Sequence, residues 1–310
     1  MMLKIEKEFE ESLMVKTAWY YYLENMTQQE ISDHLGLSRM RVIKLLERAR
    51  QTGIVQFQIR SSLSKRMELE QTLVQKYNLK DTYIVPTNPN SEEVNETIAK
   101  AAAMYVGSRI SDNCFINLGY GDTLSRTLNH LATNVDSAVS YVSLTGGVSY
   151  YLPNIQSNVF NGKLYLMPAP LIASSQEMAE AIKNETSIKE IESMSKLASM
   201  TIVGIGAMNN DATILKSSTL SQNDFILLSM QGAVGDVLSH FIDQDGALLD
   251  TEIDSRLIST PLSTLKELNN VIAVSAGDKK VTAIRAALKG DYIDVLITDE
   301  NTAQKLIEYK

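Results

Sequence analysis

Residues 27–53 read TQQEISDHLGLSRMRVIKLLERARQTG, and their sequence of caps, apolar spacings and charges decides the fold at the N-terminal end of the chain. Thr27-Gln28-Gln29-Glu30 has the form of a capping box, in which a Thr hydroxyl and a Glu carboxylate satisfy free amides at a helix start. Ile31 and Leu35, four apart, share one helix face. Gly36 can take the left-handed turn that ends this helix, and Leu37 plugs the corner. A second helix starts at Ser38 as N-cap, with Val42, Leu45, Leu46 and Ala49 as its buried stripe. At about 100° per residue, Arg41, Lys44 and Arg48 fall along the opposite stripe, with Arg39 and Met40 at the leading end. A recognition helix needs this layout, because its first residues reach base edges while basic neighbours hold phosphates. Gly53 closes the helix, and Val55, Phe57 and Ile59 alternate with Gln56 and Gln58 as a half-buried wing strand should. The stretch therefore predicts a winged helix-turn-helix that binds double-stranded DNA.

The charge stripe alone would fit a solvated helix face equally well; the capping box, the glycine turn and the wing together favour DNA. Immediately upstream, Ala18-Trp19-Tyr20-Tyr21-Tyr22 carries the only Trp and three of the 13 Tyr residues. These rings either put hydroxyls on a DNA backbone or fill the core of a three-helix module, and the core is the expectation for Trp19.

The rest of the chain differs in charge. The formal net charge is -8, but residues 1–66 sum to +3 and residues 67–310 to -11. Segments of opposite sign point to different partners. A length of 310 residues suits two domains, expected here as a DNA-binding domain over 1–60 and an effector-binding and oligomerisation domain over 61–310. No apolar run approaches the roughly 20 residues that cross a bilayer. The N-terminus lacks a signal-peptide core, and Cys114 is the only cysteine, so the expected setting is the cytoplasm without membrane attachment.

Beyond residue 80, apolar runs at 82–85, 114–118, 141–144, 163–167, 201–205, 271–275 and 293–297 read as strands. Helical patterns at 92–110, 123–132, 176–183 and 281–288 lie between them, which predicts an α/β domain with a mainly parallel sheet covered on both faces. Ahead of them, Met67, Leu69, Leu73, Val74 and Tyr77 predict a helix that packs either on its own domain or between subunits. Several strands run into glycine: Gly119-Tyr120-Gly121-Asp122-Thr123, Thr145-Gly146-Gly147, Gly204-Ile205-Gly206 and Ala276-Gly277-Asp278-Lys279-Lys280. The first and last lead into helices, where free amides can hold an anion with help from Thr123 and Lys280. Each loop by itself is also an ordinary tight turn. None matches a nucleotide fingerprint, so no cofactor is expected.

Neither a catalytic set nor a metal site is expected, because His34, His130 and His240 stand apart with no ligand spacing. Cys114, placed within a strand, reads as an inert core residue. Asp236 follows two glycines near an expected helix start. It can accept hydrogen bonds from sugar hydroxyls, act as a general base, or cap that helix.

Taken in order, Met26-Thr27-Gln28-Gln29-Glu30-Ile31, Gly36-Leu37-Ser38-Arg39, Leu118-Gly119-Tyr120-Gly121, Leu144-Thr145-Gly146-Gly147, Val203-Gly204-Ile205-Gly206 and Gly232-Ala233-Val234-Gly235-Asp236 resemble the SorC family of bacterial transcriptional regulators. The resemblance runs from about residue 13 to the end. Within the family, Pro168-Ala169-Pro170-Leu171, Ala173-Ser174-Ser175, Lys183-Asn184-Glu185 and Asp211-Ala212-Thr213-Ile214 are most similar to the branch that answers to phosphorylated autoinducer-2. Ile172 stands where that branch carries a basic residue.

The resemblance implies a Rossmann-like, sugar-phosphate-isomerase-like effector domain used for sensing rather than catalysis. It also implies a homo-oligomer, dimer or tetramer, on a palindromic operator. By the same resemblance Gln28, Ser38, Arg39, Arg41 and Lys44 face DNA, and Tyr120, Gly121, Asp122, Thr123, Gly146, Gly147 and Lys280 surround the phosphate of a small phosphorylated sugar-like effector. Asp236 and Leu238 meet its carbon skeleton.

Overall fold

The computed structural model describes residues 2–55, 64–90, 93–135, 137–147 and 162–309, in two compact units, Met1–Ser64 and Lys65–Lys310. The first unit holds α1 (Met2–Tyr22), α2 (Gln28–Leu35) and α3 (Arg39–Gln51). Its core is built from Met14 and Ala18 of α1, Ile31 of α2, and Val42, Leu45, Leu46 and Ala49 of α3. Trp19 is not part of it. The indole is 55% exposed and its Nε1 donates to Glu24 Oε1 at 3.0 Å, because Met14 and Ala18 already face α3 and leave Trp19 on the outer side of α1. The wing expected through Phe57 and Ile59 lies outside the described residues.

The second unit begins with α4 (Ser64–Tyr77), whose Leu69, Leu73, Val74 and Tyr77 pack on the core of this unit while Met67 is exposed. There follow β1 (Asp81–Val85), α5 (Val94–Gly107), β2 (Phe115–Leu118), α6 (Asp122–Asn134), β3 (Ser140–Ser143) and β4 (Lys163–Tyr165). Next come α7 (Gln176–Asn184), α8 (Thr186–Ser195), β5 (Met200–Val203), β6 (Ile205–Ala207), α9 (Thr213–Lys216) and α10 (Gln222–Met230). The chain continues through β7 (Gly235–Val237), β8 (His240–Ile242), α11 (Glu252–Arg256), α12 (Leu262–Leu265) and β9 (Val271–Val274). A 3-10 turn (Asp278–Lys280), α13 (Val281–Lys289), β10 (Val295–Asp299) and α14 (Glu300–Glu308) complete it.

Seven strands form one parallel sheet in the order β1-β10-β9-β5-β2-β3-β4. Successive residues face opposite sides: Ile202 and Ile272 join the core under α5 and α6, whereas Val203 and Ala273 join the core under α13 and α14. Strands buried on both faces read as unbroken apolar runs, which is why they were legible as such. The connection from β2 leads to β3 on one side, and the path from β5 leads to β9 on the other. The carboxyl ends of β2 and β5 therefore mark the switch point where open α/β sheets form a crevice.

Three details depart from the sequence reading. The strand expected over 201–205 breaks at Gly204: β5 ends at Val203, and β6 joins β7 and β8 in a separate antiparallel sheet. A Cβ on Gly204 would lie 3.5 Å from the Tyr120 carbonyl, an ordinary contact, so the turn lies beside the β2–α6 loop. Asp236 lies within β7 opposite Gly206 rather than at a helix start, which removes its capping role. Cys114 precedes β2 and is half-buried, since pairing with β3 begins only at Phe115.

Candidate functional site

In the N-terminal unit the two helix starts are capped as the sequence predicts. The Thr27 hydroxyl accepts from Glu30 N at 3.2 Å while Thr27 N donates to Glu30 Oε2 at 2.7 Å, and Ser38 Oγ accepts from Arg41 N at 3.2 Å. Gly36 sits at φ 63, the left-handed corner that lets α3 leave α2 at an angle. Ser38, Arg39, Met40 and Lys44 are exposed. Gln28 and Arg39 come together on one groove of about 610 Å³, lined also by Tyr21, Tyr22 and Thr27.

The basic stripe is not uniform. Arg48 Nη1 donates to Glu10 Oε2 at 2.6 Å, and Arg41 pairs with the other Glu10 oxygen. The Arg48 hydrogen bond, aided by the charge of Arg41, holds the Glu10 carboxyl below its ordinary range. Among the described residues, Arg39, Lys44 and Arg50 have no carboxylate partner. Sequence periodicity alone could not place Glu10, thirty-one residues from Arg41, on this face.

In the second unit the glycine loops gather at the carboxyl ends of the central strands. The β2–α6 loop passes through Gly119, whose amide donates to the Ile202 carbonyl at 2.7 Å, and reaches Gly121 at φ 135 and ψ 165. The β9 loop does the same at Gly277, with φ 107 and ψ 147, before the 3-10 turn. Only glycine adopts this backbone readily, and nothing lies within 4 Å of where a Cβ would stand on either residue. Neither start has a side-chain cap, which leaves the Asp122, Thr123, Asp278 and Lys279 amides for a ligand, while Lys280 N already donates to the Gly277 carbonyl at 2.9 Å.

Lys280, half-buried at the head of α13, lies within the electrostatic reach of Asp236 and Asp122. Burial lowers its pKa against the pull of both carboxylates. Asp236 moves the other way: loss of solvation raises its carboxyl to about 6, despite a bond from Ser239 N at 3.1 Å and the fields of Lys280 and His240. A Cβ on Gly206 would clash with Asp236 Oδ1, so glycine there is required for this carboxylate to fit. Leu238 is buried and packs on Gly119, where a Cβ would come within 2.9 Å of its Cδ2.

The remaining predicted residues are more scattered. Tyr120 is half-buried, with its hydroxyl 3.4 Å from Ser217 Oγ, and Thr123 is buried in the first turn of α6. Asp122 carries its carboxylate to Arg126 Nε at 3.0 Å and Asn95 Nδ2 at 3.1 Å. The Gly146 and Gly147 amides already donate to the carbonyls of Ile258 and Ala169, both at 2.9 Å. These glycines therefore permit close backbone approach and do not offer free amides: a Cβ on Gly146 would collide with the Pro170 carbonyl. The sequence reading missed Ser217, which meets Tyr120 from a segment nearly a hundred residues away, and His240 beside Asp236. Among the described residues no group of three or more His, Cys, Asp or Glu is arranged to hold a metal, and no helix is long and apolar enough to cross a membrane.

Comparison with known proteins assigns both halves. Residues 61–308 match the family described as "Putative sugar-binding domain", and residues 19–52 match sigma-70 region 4, a helix-turn-helix family. The full-length sorbitol operon regulator SorC from Klebsiella pneumoniae superposes with a TM-score of 0.69 at 26% identity, covering 96% of this chain and 98% of that one. The chain belongs to the SorC family of transcriptional regulators.

The transcriptional regulator LsrR of Klebsiella pneumoniae subsp. pneumoniae is 34% identical over 302 residues, covering 96% of this chain and 93% of that protein. LsrR of Escherichia coli is 36% identical, with 96% and 95% covered. This SorC-family chain is thus a DNA-binding regulator with a sugar-binding domain, and not an enzyme. Its fold is α/β preceded by a helix-turn-helix unit.

Proposed function

We propose that the chain represses its operator and releases it when a phosphorylated sugar-like effector binds at the switch point of the parallel sheet. The observation that carries this reading is the pair of uncapped, glycine-started turns at Gly121 and Gly277, with Lys280 in the electrostatic reach of both Asp122 and Asp236. Amides and one half-buried cation suit a phosphate, and a single carboxylate suits sugar hydroxyls. In this reading Tyr120, Gly121, Asp122, Thr123 and Lys280 surround the phosphate, with Gly146 and Gly147 giving it room. Asp236 and Leu238 meet the carbon skeleton. Asp122, already paired with Arg126, contributes its backbone.

Gln28, Ser38, Arg39 and Lys44 face DNA directly, and Arg41 does so by exchanging Glu10 for phosphate. The greater identity to the LsrR proteins than to the sorbitol regulator supports phosphorylated autoinducer-2 as the effector class. A homo-oligomer on a palindromic operator, working in the cytoplasm, completes the proposal. Coupling follows from linkage: an effector that favours the arrangement unable to hold DNA weakens operator affinity by the factor by which DNA weakens effector affinity.

The test is a gel shift with Asp236→Ala. The variant is expected to bind operator as the parent does and to ignore sugar phosphates that release the parent. Unchanged effector affinity in calorimetry would remove Asp236 from the site.

A further inference from the structure

Both glycine starts are followed at once by an aspartate: Gly121-Asp122 at the head of α6 and Gly277-Asp278 at the 3-10 turn. A carboxylate in a first turn is drawn to the free amides beside it, so it competes with any incoming anion. Aspartates elsewhere in the chain show the tendency. Asp299 Oδ1 accepts from Thr302 N at 2.8 Å at the start of α14, and Asp243 Oδ1 accepts from the amides of Asp245 and Ala247, both at 2.9 Å. Asp122 and Asp278 do otherwise: among the described residues, neither carboxylate takes an amide of its own turn.

What holds them is alike at the two starts. Asp122 Oδ2 accepts from Arg126 Nε at 3.0 Å and from Asn95 Nδ2 of α5 at 3.1 Å. Asp278 Oδ1 accepts from Asn301 Nδ2 and Lys305 Nζ, both on α14 and both at 2.7 Å. Each carboxylate thus meets one asparagine amide and one cation. Arg126 is itself placed by α5, since its Nη1 donates to Glu96 Oε2 at 2.8 Å. Beside Asn301, Thr302 Oγ1 accepts from Gly277 N at 2.8 Å and fixes the turn on α14. We infer that Arg126 with Asn95, and Lys305 with Asn301, are positioning residues of the effector site, which hold the Asp122 and Asp278 carboxylates off the first-turn amides and leave those amides to an anion. The inference rests on the effector reading above.

An exposed ion pair of this kind adds little to stability by itself. Its weight here lies in a local competition. A first-turn amide has one hydrogen to give, and a carboxylate on the same turn acts at high effective concentration against a ligand from solution. Charge works in the same direction: stripped of its cation, each carboxylate would repel a phosphate approaching that turn. The aspartates in return brace the two starts. Gly121 and Gly277 leave the backbone free to turn, while Asp122 ties α6 to α5 and Asp278 ties the 3-10 turn to α14. An anion site can therefore carry an acid at each start, in a unit whose sequence from residue 67 onward sums to -11.

Amide hydrogen exchange in the full-length chain, without ligand, tests the competition. In Arg126→Ala the Thr123 amide is expected to gain protection, because the released carboxylate now takes it, and adding Asp122→Ala should return it to the parent value. Lys305→Ala, alone and with Asp278→Ala, should repeat the pattern at the Lys279 amide. No gain at Thr123 overturns the inference for α6, and no gain at Lys279 overturns it for the 3-10 turn, whatever the ligand. Calorimetry with glucose 6-phosphate and inorganic phosphate tests the role. Arg126→Ala should bind them several-fold more weakly than the parent, with the larger loss at low ionic strength, and adding Asp122→Ala should recover most of that loss. A merely structural tie gives the reverse, since removing its second partner leaves binding as weak or weaker, and that result overturns the positioning role. If neither probe binds even the parent, the effector reading fails together with the role, while the exchange rates still decide whether the carboxylates are held off the amides.

Discussion

Helix α3 and helix α6 are both proposed to meet an anion, yet their first turns are finished in opposite ways. Ser38 occupies a free amide of α3 with its own hydroxyl, so this helix presents side chains: Arg39, Met40 and Lys44. Helix α6 starts at Gly121 with no side-chain cap and presents its backbone, as the 3-10 turn does after Gly277. The difference teaches what each partner demands. Sequence in DNA is read by side chains reaching base edges, so the reading helix must be complete before it docks. A small phosphate is held by amides that converge on it, so those amides must stay uncommitted.

The strongest way to break this contrast is Lys280→Met. Removing the cation between Asp236 and Asp122 should weaken sugar-phosphate binding on the order of 100-fold, the size of a charge-assisted hydrogen bond. Operator affinity in a gel shift should not change. Unaltered calorimetric affinity would mean that the anion does not sit between the two glycine starts. Gly121→Ala comes next. With open space around the Cβ position, its cost is conformational, and a strain of about 1–3 kcal/mol predicts roughly tenfold weaker effector binding. If the affinity holds, α6 does not receive the phosphate through its backbone.

On the DNA side the effects are smaller. Arg39→Ala should weaken operator binding several-fold and lower the slope of log affinity against log salt by about one. Arg41→Ala should do less, because Arg41 must first leave Glu10. Equal losses for the two would show that the Glu10 pairing has no weight in solution.

A separate effect concerns stability. Asp236 is raised to about 6 from an ordinary 3.8, so the folded chain holds this proton more tightly than the unfolded chain. Its contribution to stability therefore falls as pH rises from about 4 to about 6. Asp236→Asn should melt higher than the parent at pH 7.5 and no higher at pH 4. An identical shift at both pH values would assign the change to packing instead.

Local chemistry made much of this molecule legible. Thr27, Ser38 and Gly36 act on their nearest neighbours, so their caps and turn follow from the order of residues. The parallel strands were readable because burial on both faces demands continuous apolar runs. Asp236 misled because Gly232 and Gly235 look like helix punctuation, whereas Gly235 pairs with Ala207 in an antiparallel hairpin and admits Ala283 at close range. Trp19 misled because aromatic size argues for burial, but the neighbouring turns of α1 already supply the core. Gly146 and Gly147, expected around the phosphate, have their amides consumed by Ile258 and Ala169 from distant segments.

By itself, then, the sequence determined the two modules, their opposite charge, the helix starts and the glycines that let loops turn, all of which depend on residues within a few positions of one another. Tertiary structure decided which of those groups remain free. Glu10 takes Arg41 and Arg48, Arg126 takes Asp122, and Asp254 with Thr260 takes both nitrogens of His240. Whether a polar group is available to a ligand depends on every acceptor and donor that folding brings within about 3 Å of it, and that neighbourhood is not encoded in local order.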